Sequence, residues 1–248
     1  MNKYKNIKDN FSSTDSYTKN AIVQTNVREN LITKCLDNLK MRNIKNILNI
    51  GVRDISEPIE LQNRFLAKQI DVIDLTLENI SEQTKNKNIT FHELNFDKDL
   101  DKLPQKYDLI FSNMSLQWSK DLNKLLETLN KKLNEQSMFA FSTLLEKNFH
   151  ELSGIFRINK MLTKESILNL MKKNGLICLY EESYFYKLDF NSFSDLRNHF
   201  KSTGITTYTG KNSSSKAFSV RSLIKNKSIY SLTYHVGIFI CYKNKEFK

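Results

Sequence analysis

The decapeptide NILNIGVRDI, residues 46 to 55, carries one glycine where a short apolar run gives way to polar residues. Read as a buried strand entering a helix, it places Gly51 in the first strand-to-helix turn. In open parallel sheets the ligand sits beyond the carboxyl ends of the strands, and that turn lies against it. A glycine there removes the Cβ that would hold a ligand away from the backbone. Asp74 lies at the end of the next strand-like run, DVIDL, about twenty residues on, the spacing at which a carboxylate accepts hydrogen bonds from both hydroxyls of a ribose. Trp118, the single tryptophan, follows a further apolar run, YDLIFSN, at the ligand-facing end of a strand. It stands there as a pocket wall or as a core filler. Together these residues support the binding of a nucleoside-bearing cofactor; for Gly51 alone, an ordinary turn is the alternative reading.

The elements that must position them alternate along the chain. Ile22, Val23, Val27, Leu31, Ile32, Cys35, Leu36 and Leu39 recur at helical spacing and predict an amphipathic helix over residues 18–40. Then follow a strand IKNILNI, a helix from Glu57 to Lys68, strands IDVIDL, ITFHELN and YDLIFSN, a helix KDLNKLLETLNKKL and a strand MFAFSTL. TKESILNLMKKNG reads as a helix with Thr163 as N-cap and Gly175 past its end. A long strand LICLYEESYFYKLDF, a helical insertion SFSDLRNHFKSTG and a last long strand SIYSLTYHVGIFICYK complete the chain. Strand and helix in turn specify an α/β fold, a doubly wound and mostly parallel seven-stranded sheet. A last strand reached without an ordinary crossover helix enters antiparallel. That ending resembles the class I methyltransferase fold, a Rossmann-like architecture, and differs from the dinucleotide-binding one. With only 6 Gly and 2 Pro and no linker, residues 1–248 are expected to form a single domain. Its parts are an N-terminal helical cap over 1–42, a cofactor-binding half over 43–147, and an acceptor-side half with helical insertions over 148–248.

The chain has 40% hydrophobic and 11% aromatic residues, enough to bury a sizeable core. No run approaches the length of a membrane helix and the polar start MNKYKNIKDNFSSTD is unlike a signal peptide, so a cytoplasmic location is expected and a membrane is not a partner. Cys35, Cys178 and Cys241 lie far apart and form no CxxC pair, which predicts neither a disulfide framework nor a metal site. The formal net charge of +11 is uneven: residues 191–248 hold 10 Lys and Arg against 2 acidic residues. A basic face of this kind attracts an acidic partner at long range, whether nucleic acid, membrane or protein. Compositional bias, with Lys and Asn abundant throughout, is the alternative explanation.

Several stretches together resemble one family. FSSTDSYTKNAIVQ (11–24), LNIG (48–51), YDLIFSNMSLQW (107–118), FAFSTLLEKNFHEL (139–152), FKSTGIT (200–206) and YSLTYHVGIFI (230–240) are similar, in order and approximate spacing, to the malonyl-acyl-carrier-protein O-methyltransferases of biotin synthesis. The Ser-Asn-x-x-x-Gln-Trp pattern is the most specific of them. The resemblance implies a class I methyltransferase with S-adenosyl-L-methionine as cofactor. It also implies cofactor contacts at Gly51, at Asp74, at Asn113 and Trp118 of the Ser-Asn-x-x-x-Gln-Trp segment, and after the third strand, where Asn95, Asp97 or Asp99 would face the adenine. The family's first turn reads Asp-x-Gly-x-Gly-x-Gly; here Asn49 takes the acidic position, and Arg53 and Ile55 replace two glycines. A left-handed backbone at a non-glycine costs about 1–2 kcal/mol, so the turn is expected to be altered.

The implied reaction moves a methyl group onto a malonyl carboxylate. That carboxylate is ionised at neutral pH and needs no general base, so the protein must position and desolvate it, which supplies roughly 7–11 kcal/mol of a barrier. A buried carboxylate requires paired donors, and Tyr17, Arg157, Tyr234 and His235 are the candidates for the catalytic site. The implied partner is an acyl carrier protein, strongly acidic and suited to the basic C-terminal face. Two alternatives stand beside this reading. One is a catalytically silent relative that keeps the fold and the carrier surface. The other is an RNA methyltransferase, disfavoured because no Asn/Asp-Pro-Pro-Tyr motif occurs and SNMSLQW stands in its place.

Overall fold

In the computed structural model, which describes residues 22–39, 44–52, 54–77, 86–153, 159–203 and 230–243, the apolar runs become strands β1 (Asn46–Ile50), β2 (Gln69–Asp74), β3 (Ile89–Glu93), β4 (Tyr107–Ser112), β5 (Leu133–Leu144), β6 (Leu176–Asp189) and β7 (Ser231–Lys243). The helices are α1 (Ile22–Asp37), α2 (Ser56–Phe65), α3 (Leu122–Lys132), α4 (Lys164–Lys173) and α5 (Phe193–Thr203). The strands form one sheet in the order β3-β2-β1-β4-β5-β7-β6. β1, β2, β3, β4 and β5 pair in parallel, whereas β7 runs antiparallel to both β5 and β6. Chain order reverses between β1 and β4, and the crevice at their carboxyl ends is where a ligand is expected in such a sheet.

Helices cover both faces, which is why β1 reads as an almost unbroken apolar run. On one face Val27, Leu31 and Cys35 of α1, Leu61 and Phe65 of α2, and Leu196 and Phe200 of α5 pack on Ile47, Val72, Phe111 and Tyr234. On the other, Leu125 and Leu129 of α3 and Ile167 and Met171 of α4 pack on Leu48, Ile50, Ile110 and Phe139. Thr163 caps α4 as expected, its Oγ1 accepting the Ser166 N–H at 3.0 Å. α2 stops before the expected Lys68, because Leu66 turns left-handed at φ 53°. β5 starts earlier than MFAFSTL, directly after α3, with an irregularity in its pairing to β4 before Met138. All three cysteines are free; burial pushes the Cys35 and Cys241 thiols far up, which makes them inert. Among the described residues no helix is long and apolar enough to cross a membrane, and no group of three metal-ligating side chains occurs.

Candidate active site at the carboxyl ends of the parallel strands

The first turn is held by the protein itself. Gly51 adopts φ 76°, and its N–H donates to the Ile73 carbonyl at 2.9 Å. A Cβ on Gly51 would lie 2.3 Å from both Cβ and Oγ of Ser115. The close approach that glycine permits is thus to the turn after β4. The Oγ atoms of Ser112 and Ser115 lie 2.6 Å apart, and each reaches the Ile50 carbonyl at 3.1 Å. Ile55 has φ −68° and ψ −18°, ordinary right-handed geometry at the entrance to α2. The strain expected of a β-branched residue in a glycine position is therefore absent there: the helix begins one residue later, and the backbone never visits the left-handed region at 55. Asp54 opens α2 by accepting the Ser56 N–H at 2.8 Å. Arg53 lies outside the described residues.

Under this turn sits a buried polar knot that sequence reasoning missed. Asn49 is fully buried on β1 and donates through Nδ2 to Glu57 Oε1 at 2.7 Å. Glu57, in the first turn of α2, is 6% exposed. Burial pushes its carboxyl up to about 7, against the opposing pull of hydrogen bonds from Asn49 and Asn113 and the field of Arg28. Asn113 ties three elements together: its Nδ2 donates to the Gln24 carbonyl at 3.0 Å, and its Oδ1 accepts from Ser142 Oγ at 2.8 Å. Met114 next to it takes φ 48° and is pinned there by Ser142, whose Oγ and carbonyl accept its N–H at 2.9 and 3.1 Å. A left-handed bulky residue persists only where its surroundings over-determine it, a feature concentrated at functional sites. The Ser-Asn-x-x-x-Gln-Trp segment is therefore a rigid turn, not a loose loop.

Along the same edge, Asp74 ends β2 beside Gly51, and its Oδ1 accepts the Thr76 N–H at 3.2 Å. After β3, Asp99 is turned into its own loop. Its Oδ2 accepts the Asn95 N–H at 3.0 Å and its Oδ1 meets Lys102 Nζ at 2.9 Å; this lysine's hydrogen bond and that backbone N–H hold its carboxyl low. Asn95 Oδ1 accepts the Asp97 N–H at 2.9 Å. Asp97 links this loop to the one after β4, accepting from Ser119 Oγ at 2.6 Å and the Lys120 N–H at 2.9 Å. Trp118 is half-buried in the adjoining short helical turn.

The four acceptor-side candidates are placed unevenly. Tyr17 and Arg157 lie outside the described residues. Tyr234 and His235 are consecutive on β7 and so point to opposite faces of the sheet. Tyr234 is fully buried, with its hydroxyl 2.7 Å from His199 Nε2 and Phe149 edge-on to its ring. Burial drives His199 down to about 4, so it is neutral at pH 7. His235 stacks on Phe185 with centroids 4.5 Å apart, and its Nδ1 accepts the Lys147 N–H at 3.3 Å, which puts the ring proton on Nε2. Burial lowers its pKa despite Glu146 nearby. The two side chains therefore do not meet in one pocket.

Residues 24–183 match the family profile described as a methyltransferase domain. A malonyl-[acyl-carrier protein] O-methyltransferase of Coxiella burnetii is 31% identical over 196 residues, covering 78% of this chain and 76% of that protein. The chain belongs to this methyltransferase family. A second malonyl-[acyl-carrier protein] O-methyltransferase, from Calditerrivibrio nitroreducens, is 32% identical over 151 residues, 58% of this chain and 60% of the relative. In fold, the methyltransferase resembles the N-methyltransferase NodS of Bradyrhizobium japonicum, solved with S-adenosyl-l-homocysteine, at a TM-score of 0.62 and 12% identity over 98% of this chain and 99% of that one.

The cofactor of a class I methyltransferase is S-adenosylmethionine, and the residues present fit it. Asp74 offers a carboxylate at the end of β2 next to the Gly51 turn. Among the described residues, Asn49 Oδ1 and Gln24 Oε1 are buried acceptors without a hydrogen-bond donor, a condition that a ligand carrying N–H groups would relieve. Asp74→Ala is expected to weaken S-adenosylmethionine binding at least tenfold, because each hydrogen bond to a charged group contributes about 1.5–3 kcal/mol. Isothermal titration of this variant beside Asp74→Asn, which keeps the turn at Thr76, checks it; an unchanged dissociation constant removes Asp74 from the site.

Proposed function

We propose that this methyltransferase transfers the methyl group of S-adenosylmethionine to the free carboxylate of a malonyl group borne by an acyl carrier protein, an early step of biotin synthesis, in the cytoplasm. The observation that carries the reading is the 31% identity, over 78% of the chain, to a relative named for that substrate. The cofactor supplies an electrophilic sulfonium methyl group. The accepting carboxylate is already ionised, so the transfer of that methyl group would require no proton to be moved by the chain. The chain's part is to bind, orient and exclude water, which is worth roughly 7–11 kcal/mol when the geometry is near-attack. In this reading His235, neutral with its proton on Nε2, donates to the malonyl carboxylate, with Tyr17 and Arg157 as further donors. Tyr234 acts from the opposite face, shaping the acceptor side through His199. Gly51, Asp74, Asn95, Asn113 and Trp118 serve the cofactor. The continuous sheet from β1 to β7 supports one domain that holds both halves.

Methyl transfer from labelled S-adenosylmethionine to malonyl carrier protein is the decisive assay. A product sensitive to esterase supports the reading; binding of cofactor without transfer favours the silent relative, which the altered first turn motivates. Retention on RNA that falls steeply with salt would favour the RNA methyltransferase. In the same assay, combined charge reversal at Lys201, Lys211, Lys216 and Arg221 is expected to reduce kcat/KM for the carrier-linked substrate and leave malonyl-CoA almost unaffected. The last three positions lie outside the described residues, so this expectation rests on the charge count over 191–248. Steering fades as the Debye length falls from about 10 Å at 0.1 M salt to about 3 Å at 1 M. Equal losses for both substrates would assign the charge to compositional bias.

A further inference from the structure

Among the described residues Glu57 is a charge-bearing group without a cation in contact. Its direct partners are two neutral amides, Asn49 and Asn113. The cation nearest in effect, Arg28 of α1, is engaged elsewhere: its Nε lies 2.9 Å from Glu60 Oε2 and its guanidinium donates to Ser56 Oγ at 3.0 Å. Among the described residues the other charged group acting on Glu57 is Asp54 in the turn, which works against its ionisation, while Glu60, one turn further along α2, pairs with Arg28. A buried carboxylate left to neutral amides is costly, and chains retain such a group where it is paired or where it binds.

The knot is also unbalanced in its hydrogen bonds. Asn49 spends its amide on Glu57, while its own Oδ1, fully buried, has no donor among the described residues. Gln24 Oε1 is a second such acceptor, on the residue whose carbonyl Asn113 holds. The Glu57 carboxyl and Asn49 Oδ1 therefore lie together where β1 and α2 meet beside the Gly51 turn, and Gln24 Oε1 is a further such acceptor on α1. What satisfies such a set is a compact cation with several N–H donors. The family carries an acidic residue at position 49; here that position is an amide, and an acid has appeared at 57 with its oxygen 2.7 Å from the amide.

We infer that Glu57, together with Asn49 Oδ1, binds the α-ammonium group of the cofactor's amino-acid portion, with the acid supplied from α2 where the family's first turn has one at the end of β1. This assignment rests on the S-adenosylmethionine reading and goes beyond it, since it exchanges a side chain from the strand for one from the helix. The carboxyl, pushed up to about 7 in the ligand-free protein, would ionise fully on meeting the ammonium and release a proton to solvent.

The test is isothermal titration of the full chain with S-adenosylhomocysteine and with its deamino analogue, in which the amino group is replaced by hydrogen. Glu57→Gln is expected to weaken S-adenosylhomocysteine roughly tenfold or more, as loss of a charge-assisted hydrogen bond does, and to leave the deamino analogue unchanged. The double variant Asn49→Asp/Glu57→Gln, which returns the acid to the strand, is expected to recover most of the loss. A second measurement needs no variant: at pH 7 the wild-type chain should release roughly half a proton per S-adenosylhomocysteine bound, read from the dependence of the heat on buffer ionisation, and none with the deamino analogue. Equal weakening of both ligands, or no proton release, overturns the assignment while the cofactor reading stands. A wild-type chain that binds neither ligand overturns both.

Discussion

Gly51→Ala is expected to destabilise the protein by about 2–5 kcal/mol, the sum of about 1–2 kcal/mol for a left-handed alanine and about 1–3 kcal/mol for overpacking. The first contribution follows from φ 76°, and the second from the 2.3 Å approach of the added methyl to Ser115. Ser115 does not yield easily, because its Oγ is tied to Ser112 and to the Ile50 carbonyl. Against a typical domain stability of about 5–15 kcal/mol, such a loss is large, and it falls on the turn that shapes the site. Urea unfolding followed by circular dichroism measures it. The double variant Gly51→Ala/Ser115→Gly separates the two contributions: it is expected to regain the packing share and keep the conformational one. A single variant with an unchanged midpoint would show that the turn adopts another backbone.

Stability against pH should expose two buried groups that oppose each other. His199 has its pKa depressed to about 4 from 6.5, so its contribution is complete above pH 6.5 and is lost as pH falls towards 4. Glu57 has its pKa raised to about 7 from 4.5, so its contribution is complete below pH 4.5 and is lost as pH rises through 7. Each shift corresponds to about 3 kcal/mol. Between pH 4.5 and 6.5 the slopes have opposite sign and largely cancel. Relative to wild type, Glu57→Gln is expected to gain about 3 kcal/mol between pH 4.5 and 7, with the gain retained at higher pH. His199→Asn is expected to show the reverse difference, its stability relative to wild type falling as pH rises from 4 to 6.5. Urea midpoints at half-unit steps test both, and variant profiles parallel to the wild type would contradict the placement of these groups. A Glu57→Gln protein that is more stable at pH 8 yet binds S-adenosylhomocysteine more weakly would also identify a group kept for binding at the expense of stability.

Much of the scaffold was legible because it depends on short-range pattern. Apolar periodicity located the seven strands and five α-helices of the described residues, though not the short helical turns or the early start of β5, and Thr163 announced the start of α4 through a hydroxyl placed three residues before the amide it caps. The antiparallel entry of β7 followed from the unusual connection before it. The candidate site was legible only in part. Gly51 and Asp74 were singled out by spacing, but the clash that a side chain at Gly51 would meet is with Ser115, a residue far along the chain. Arg53 and Ile55 were weighed as damaged glycine positions, yet at 55 the backbone is simply helical.

What the sequence determined by itself is the α/β alternation, the polarity of the elements, the uneven charge and the stretches shared with the methyltransferase family. These are properties of neighbouring residues or of sums over them, and they survive without knowledge of which distant segments touch. Only the tertiary structure decided that Glu57 faces Asn49, that Asn113 fastens α1 to the turn after β4, and that Tyr234 and His235 look away from each other. Glu57 in sequence is an acid in the first turn of a helix, where an acid suits the helix dipole on any surface. It becomes a buried carboxyl held by amides only because the order β2-β1-β4 and the crossing of α1 close over it, and burial is a property that pairing across the sheet creates.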